Sequence, residues 1–118
     1  MAKREYDLEN RTENFARNVR AFIKALPKTI ANIEDGKQVV RSSGSVGANY
    51  IEANEALSKK DFLMRIRICR KESKETRYWL RLIDIEPQTT HLDKKRQNLI
   101  QESTELMNIF GAILRKME

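Results

Sequence analysis

The strongest constraint on this chain's fold is a spacing of three and four between apolar residues, repeated in four successive stretches. That spacing marks one face of an α-helix, because each residue turns about 100° around the helix axis. In the first stretch the positions are Leu8, Thr12 (by its methyl), Phe15, Ala16, Val19, Phe22, Ile23 and Leu26. The pattern predicts a helix over 8–26. Asp7 stands at an N-cap position, and Pro27 stops the helix because it has no donor and clashes with the preceding turn.

The second helix is expected to end near Ala56, but two starts compete. Thr29 is one. The other is Asp35, which has capping-box spacing to Gln38. Val39, Val46 and Ala53 recur at seven, with Ser43, Tyr50 and Leu57 beside them. Ser43, Gly44, Gly47 and Ala48 are unusually small. They read either as a turn or as a helix surface that a neighbour approaches closely, at about 1 kcal/mol of lost propensity per glycine. The heptad runs straight through them and favours helix.

The third helix begins at a capping box, Ser58 with Asp61, with Leu57 and Phe62 at the two staple positions. It is expected to reach Ile83. Phe62, Ile66, Cys69, Thr76, Leu80 and Ile83 share a core arc. Met64, Ile68, Trp79 and Leu82 form a second arc. Lys60, Arg67, Arg70, Lys71, Lys74, Arg77 and Arg81 form a third. Residues 84–91 read as a loop around Pro87. In the fourth helix, running to about Lys116, Leu92, Leu99, Leu106 and Ile113 make a strict heptad flanked by Ser103, Phe110 and Met117, and Ile100, Met107 and Leu114 make a second stripe.

Four amphipathic helices joined by short links predict an all-α, up-down four-helix bundle, one domain over residues 1–118. The second stripes on helices three and four are more apolar surface than a lone bundle needs. They argue for self-association, the alternative being a wide core-facing arc. No apolar run approaches the roughly 20 residues that span a bilayer. The segment Met1-Ala2-Lys3-Arg4-Glu5-Tyr6-Asp7 has no apolar stretch after its basic pair, so no signal peptide is expected. One cysteine, Cys69, fits a reducing compartment, and a cytoplasmic location is expected.

Charge is concentrated. Residues 58–83 hold nine bases and three acids, a net of +6 that equals the net charge of the whole chain. Such a local field attracts polyanions, and its arginines suit phosphate.

Catalytic constellations are scarce. His91 is the only histidine. Bundle di-iron sites use paired Glu-x-x-His motifs, whereas Glu52/Glu55, Glu72/Glu75 and Glu102/Glu105 are Glu-x-x-Glu. A structural zinc site needs four Cys or His ligands. Cys69 lies on the core arc, where a thiol is inert. Gly44-Ser45-Val46-Gly47 matches a KH-type Gly-x-x-Gly without its α/β context, and it is no P-loop. Glu52, Glu55, Glu72 and Glu75 read as ion-pair partners of Arg41, Lys71 or Arg67 between helices two and three. Trp79 can stack on a base, but its arc makes it a packing or interface residue. Neither metal nor cofactor is expected, and the chain reads as a non-enzyme.

The run from Val39-Val40-Arg41-Ser42-Ser43-Gly44-Ser45-Val46-Gly47-Ala48-Asn49-Tyr50 to Ala56, then Asp61-Phe62, Ile68-Cys69-Arg70-Lys71-Glu72-Ser73-Lys74-Glu75-Thr76 and Tyr78-Trp79-Leu80, resembles the bacterial 23S rRNA intervening-sequence proteins. Leu26-Pro27-Lys28-Thr29 fits as well, and the resemblance covers nearly the whole chain. It implies a four-helix bundle assembled as a ring-like homopentamer, with helix two continuous through its glycines. It also implies similarity to the basic, pentameric accessory variability proteins of diversity-generating retroelements, which bind nucleic acid and a reverse transcriptase. It carries over no catalytic residues.

Two functions follow as expectations. In the first, a homo-oligomer binds RNA or DNA through Lys60, Arg67, Arg70, Lys71, Lys74, Arg77 and Arg81, with Met64, Ile68, Trp79, Leu82, Ile100, Met107 and Leu114 as subunit contacts. In the second, the bundle is a scaffold whose basic face docks an acidic partner protein.

Overall fold

The computed structural model describes residues 7–117, so the reading of Met1 to Tyr6 as free of a signal peptide lies outside the described residues. Four helices follow in order: α1 (Leu8–Lys24), α2 (Ile30–Asn54), α3 (Lys59–Leu82) and α4 (Thr90–Met117). Consecutive helices pack on one another and α4 closes back on α1, the arrangement of an up-down bundle. The molecule measures 48 × 30 × 19 Å.

Three of the four helix starts have a side-chain cap. The Asp7 carboxylate accepts from the Asn10 backbone N–H at 3.3 Å. The Thr29 hydroxyl accepts from Asn32 N–H, and the Ser58 hydroxyl from Asp61 N–H, both at 3.1 Å. Each bond satisfies one of the donors a helix N-terminus leaves open. Thr29, not Asp35, therefore begins α2, and Asp35 sits within the helix. Leu57 does not act as a staple. It is 99% exposed in the α2–α3 link, and Phe62 packs on the core without it.

α2 is one helix through Gly36, Gly44 and Gly47, none of which has a positive φ. Gly47 is there for space. A Cβ at this position would stand 2.9 Å from Thr12 Oγ1 and 3.3 Å from Thr12 Cβ. Thr12 cannot swing away freely, because its hydroxyl donates to the Leu8 carbonyl at 2.6 Å. The small side chains thus bring α1 and α2 close. On the α3 side, Ser42 and Thr76 hydroxyls meet at 2.7 Å, and Thr76 also donates to the Glu72 carbonyl at 2.8 Å.

Phe15, Val19, Val39, Val46, Ile66, Cys69, Leu80, Leu106 and Phe110 form the centre of the core. At the far end of α4 the heptad slips. Leu114 is buried and Ile113 only half-buried, the reverse of the strict repeat. An α-helix drifts about 20° per heptad from a seven-residue repeat, so the inward stripe migrates over four repeats.

The two loops at one end are tied by Asn32, which is buried. Its amide donates to the Pro27 carbonyl at 3.1 Å and the Asp84 carbonyl at 3.0 Å, and its oxygen accepts from Asp84 N–H at 2.8 Å. Across α1 and α4, Arg11 makes a bidentate pair with Glu102 at 2.7 and 2.8 Å and reaches Glu105 at 2.7 Å. These bonds raise the Arg11 pKa, the Glu102 hydrogen bond most of all.

The two central glycines are expected to respond oppositely to alanine. Gly44 faces only the flexible end of Arg20, at 3.4 Å. Gly44→Ala should raise stability by up to about 1 kcal/mol through helix propensity. Gly47→Ala should lower it by about 1–2 kcal/mol, because overpacking against Thr12 exceeds that gain. Urea denaturation of both variants checks the pair.

Candidate nucleic-acid interface

The face of α3 is shaped by what its acids do. Glu72 is almost fully buried, and Arg41 of α2 reaches its carboxylate at 3.3 Å. The same guanidinium contacts Glu75 closely. Lys71 adds a 3.6 Å pair to the other Glu72 oxygen. Trp79 donates its indole N–H to Glu75 at 3.0 Å. The acids are thereby turned toward α2 and neutralised there. Arg41 and Lys71 are partners the sequence proposed for Glu72 and Glu75.

Most of the cations of α3 point the other way, although Arg65 turns to α2 and donates to Asn49 at 2.9 Å. Lys60, Arg67, Arg70, Lys71, Lys74 and Arg81 are all exposed. Lys60, Arg70, Lys74 and Arg81 have no ion-pair partner among the described residues. Arg77 differs from the expected row. It is half-buried in the α3–α4 groove and donates to Thr104 Oγ1 at 3.3 Å. Arg70 runs along the same groove, with its Nε 3.9 Å from where a Cβ on Gly111 would be. From Lys60 to Arg81 the row extends about 30 Å, at about 1.5 Å per residue.

Tyr78 belongs to this surface and was missed in the sequence reading. It is 53% exposed and packs edge-on against Trp79 at 5.1 Å. Its signal was its register: it lies four residues after Lys74, seven after Lys71 and three before Arg81, so it shares their face. It supplies a ring within the cations, which the more enclosed Trp79 cannot.

The residues expected at a subunit interface divide. Met64 and Leu82 are 44% and 42% exposed. Ile68 and Met107 are half-buried, and Trp79 and Ile100 are half-buried and pack against the core. Leu114 is corrected: it is 5% exposed, buried within the chain's own core by the drift of α4, and leaves no apolar surface to cover.

Little chemistry gathers elsewhere. Cys69 is buried and its S–H points to the Val46 carbonyl at 3.4 Å. Burial pushes its thiol up to about 12, so it stays protonated at neutral pH. His91 is exposed at the start of α4. Among the described residues, no three His, Cys, Asp or Glu side chains converge on a metal-sized point. No described helix is long and apolar enough to cross a membrane.

Fold and surface together define a helical bundle with one cationic face. The chain belongs to the family of 23S rRNA-intervening sequence proteins, whose model matches residues 4–112. It is also similar to a crystal structure from Bacteroides thetaiotaomicron VPI-5482, titled as a protein with unknown function from the S23 ribosomal protein family. That likeness has a TM-score of 0.75 at 28% identity and covers 91% of this chain and 94% of that chain. No curated protein matches the chain.

Proposed function

We propose that this chain is a non-enzymatic accessory protein that binds RNA or DNA electrostatically through the outer face of α3. The observation that carries this reading is the separation of charge on one helix. Glu72 and Glu75 pair with Arg41 of α2, while Lys60, Arg70, Lys74 and Arg81 stand in water without ion partners among the described residues. Arg67 and Lys71 extend the row, and Arg77 flanks it from the α4 side. Phosphate contacts carry little sequence information, so binding is weakly specific. Tyr78 adds stacking, which favours single strands with splayed bases.

Reversing Arg70 and Lys74 together to Glu should abolish binding at physiological salt without changing the thermal midpoint. Tyr78→Ala should weaken single-stranded RNA by about tenfold, within the range of one stacked base, and leave duplex nearly unaffected. Electrophoretic mobility shifts read both. Undiminished binding by the double reversal would place the site elsewhere.

The protein acts as a homo-oligomer in this proposal, a pentamer if it assembles as the resemblance implies. Met64 and Leu82 are the exposed part of the contact, and Ile68, Trp79, Ile100 and Met107 its half-buried part. Each added subunit would repeat the cationic row. Trp79→Ala and Met107→Asp should each lower the assembly mass in sedimentation velocity. Unchanged mass in both would make these stripes part of a wide monomer core.

A second reading is a scaffold that docks an acidic protein on the same face. The exposed Met64, Tyr78 and Leu82 favour it, because protein interfaces use apolar anchors that phosphate backbones do not.

A further inference from the structure

A different surface lies on the α1–α2 side of the bundle. The end of α1 and the first half of α2 enclose an open groove of about 440 Å³. Its apolar walls are Ile23, Leu26, Pro27, Ile33 and Val40, and its lining includes no acid. Lys28, Lys37 and Arg41 stand along it, all exposed. Gly36 keeps it open, since a Cβ there would already meet Ile23 Cγ2 at 3.3 Å.

Asn32 also lines the groove, but its amide and carbonyl are engaged by Pro27 and Asp84. It therefore has little hydrogen-bonding capacity to offer a polar ligand, and what remains is apolar. Ile33 is 44% exposed and the neighbouring Ile30 is 84% exposed. Isoleucines this open, at the first and fourth positions of one helix, are anchor spacing for a second helix laid alongside.

We infer that this groove docks an amphipathic segment of a partner protein whose apolar side chains are flanked by Asp and Glu. Charge complementarity selects that occupant. The apolar walls take the partner's hydrophobic face, and Lys28 and Lys37 take the carboxylates at its edge. Arg41 contributes less, because Glu72 and Glu75 already hold it. The pair between Lys37 and Glu34 is exposed and 3.4 Å long, so Lys37 is readily recruited. Two grooves meeting face to face across a two-fold axis would set these cations against their equivalents, which disfavours a second copy in that geometry. The inference stands independently of nucleic-acid binding on α3.

The test uses the full chain and three synthetic helical peptides: one with a Leu/Ile face flanked by Glu, the same peptide with Lys for Glu, and a scrambled acidic control. Amide chemical shifts in NMR titration locate each contact, and circular dichroism checks the fold of every variant. The acidic amphipathic peptide should shift residues 23–41 and bind at least about tenfold tighter than the other two. Ile33→Asp should remove that binding. Lys28→Glu with Lys37→Glu should reverse the preference toward the Lys peptide, a swap that mere loss of structure cannot produce. The Arg70/Lys74 reversal should leave peptide binding intact, which separates this site from the α3 face. Equal binding of all three peptides, or shifts outside 23–41, would overturn the inference. So would a fall in assembly mass on Ile33→Asp, which would make the groove a contact between copies of this chain.

Discussion

α3 is seated by its buried arc of Ile66, Cys69, Thr76 and Leu80 and by one ion cluster, Arg41 with Glu72 and Glu75. Glu72 is the costly member. A carboxylate this enclosed is tolerable only if a cation stays beside it, because low-dielectric surroundings penalise an unpaired charge heavily. Arg41 meets that need from α2, in the same rotation of α3 that buries Ile66, Cys69 and Leu80. Once Glu72 faces α2, helical geometry places Lys60, Arg67, Lys71, Lys74, Tyr78 and Arg81 toward water. The same rotation leaves an exposed cationic row on the other side, in which Lys60, Arg70, Lys74 and Arg81 have no ion-pair partner among the described residues.

The same contact needs α2 to lie close to its neighbours. Ser42 and Thr76 bond across the α2–α3 seam, and Gly47 admits Thr12 at the α1–α2 seam. The interior is accordingly narrow and carries hydroxyls, each of which finds a partner: among the described residues, no buried side-chain nitrogen or oxygen lacks a hydrogen bond. At one end Asn32 ties the α1–α2 loop to the end of α3, so both helices arrive with fixed ends. The groove inferred as a docking site opens beside that tether, where the backbone is held and apolar side chains are left uncovered.

Periodicity and caps made the bundle legible in the sequence. Apolar spacing gave four helices, and Asp7 and Ser58 marked two of their starts, while the choice between Thr29 and Asp35 for α2 needed the structure. The continuity of α2 through its glycines was readable because the Val39–Val46–Ala53 heptad never broke. What the sequence could not show followed from three-dimensional detail. The exchange of Ile113 for Leu114 comes from cumulative drift along a 28-residue helix, invisible in any single heptad. Leu57 fits a staple by spacing, yet the link turns it into solvent. Asn32 looks like any polar helix residue until the two loops converge on it. On α3 the cationic row was legible from position alone, but the lack of ion partners at Lys60, Arg70, Lys74 and Arg81 among the described residues was not, because that required knowing which way Arg41 reached. Tyr78 was recoverable from register and was overlooked beside the larger Trp79.

Nucleic-acid binding by α3 is tested most directly by fluorescence anisotropy of labelled RNA and DNA across a salt series ending near 0.15 M. Binding that persists at that salt should weaken steeply as salt rises, with the slope counting about 0.7 per phosphate contact on a single strand. Several contacts from one helix face are the predicted result. Absence of binding, or binding confined to very low salt, would contradict it and leave the row as a solvated surface or a docking face for protein.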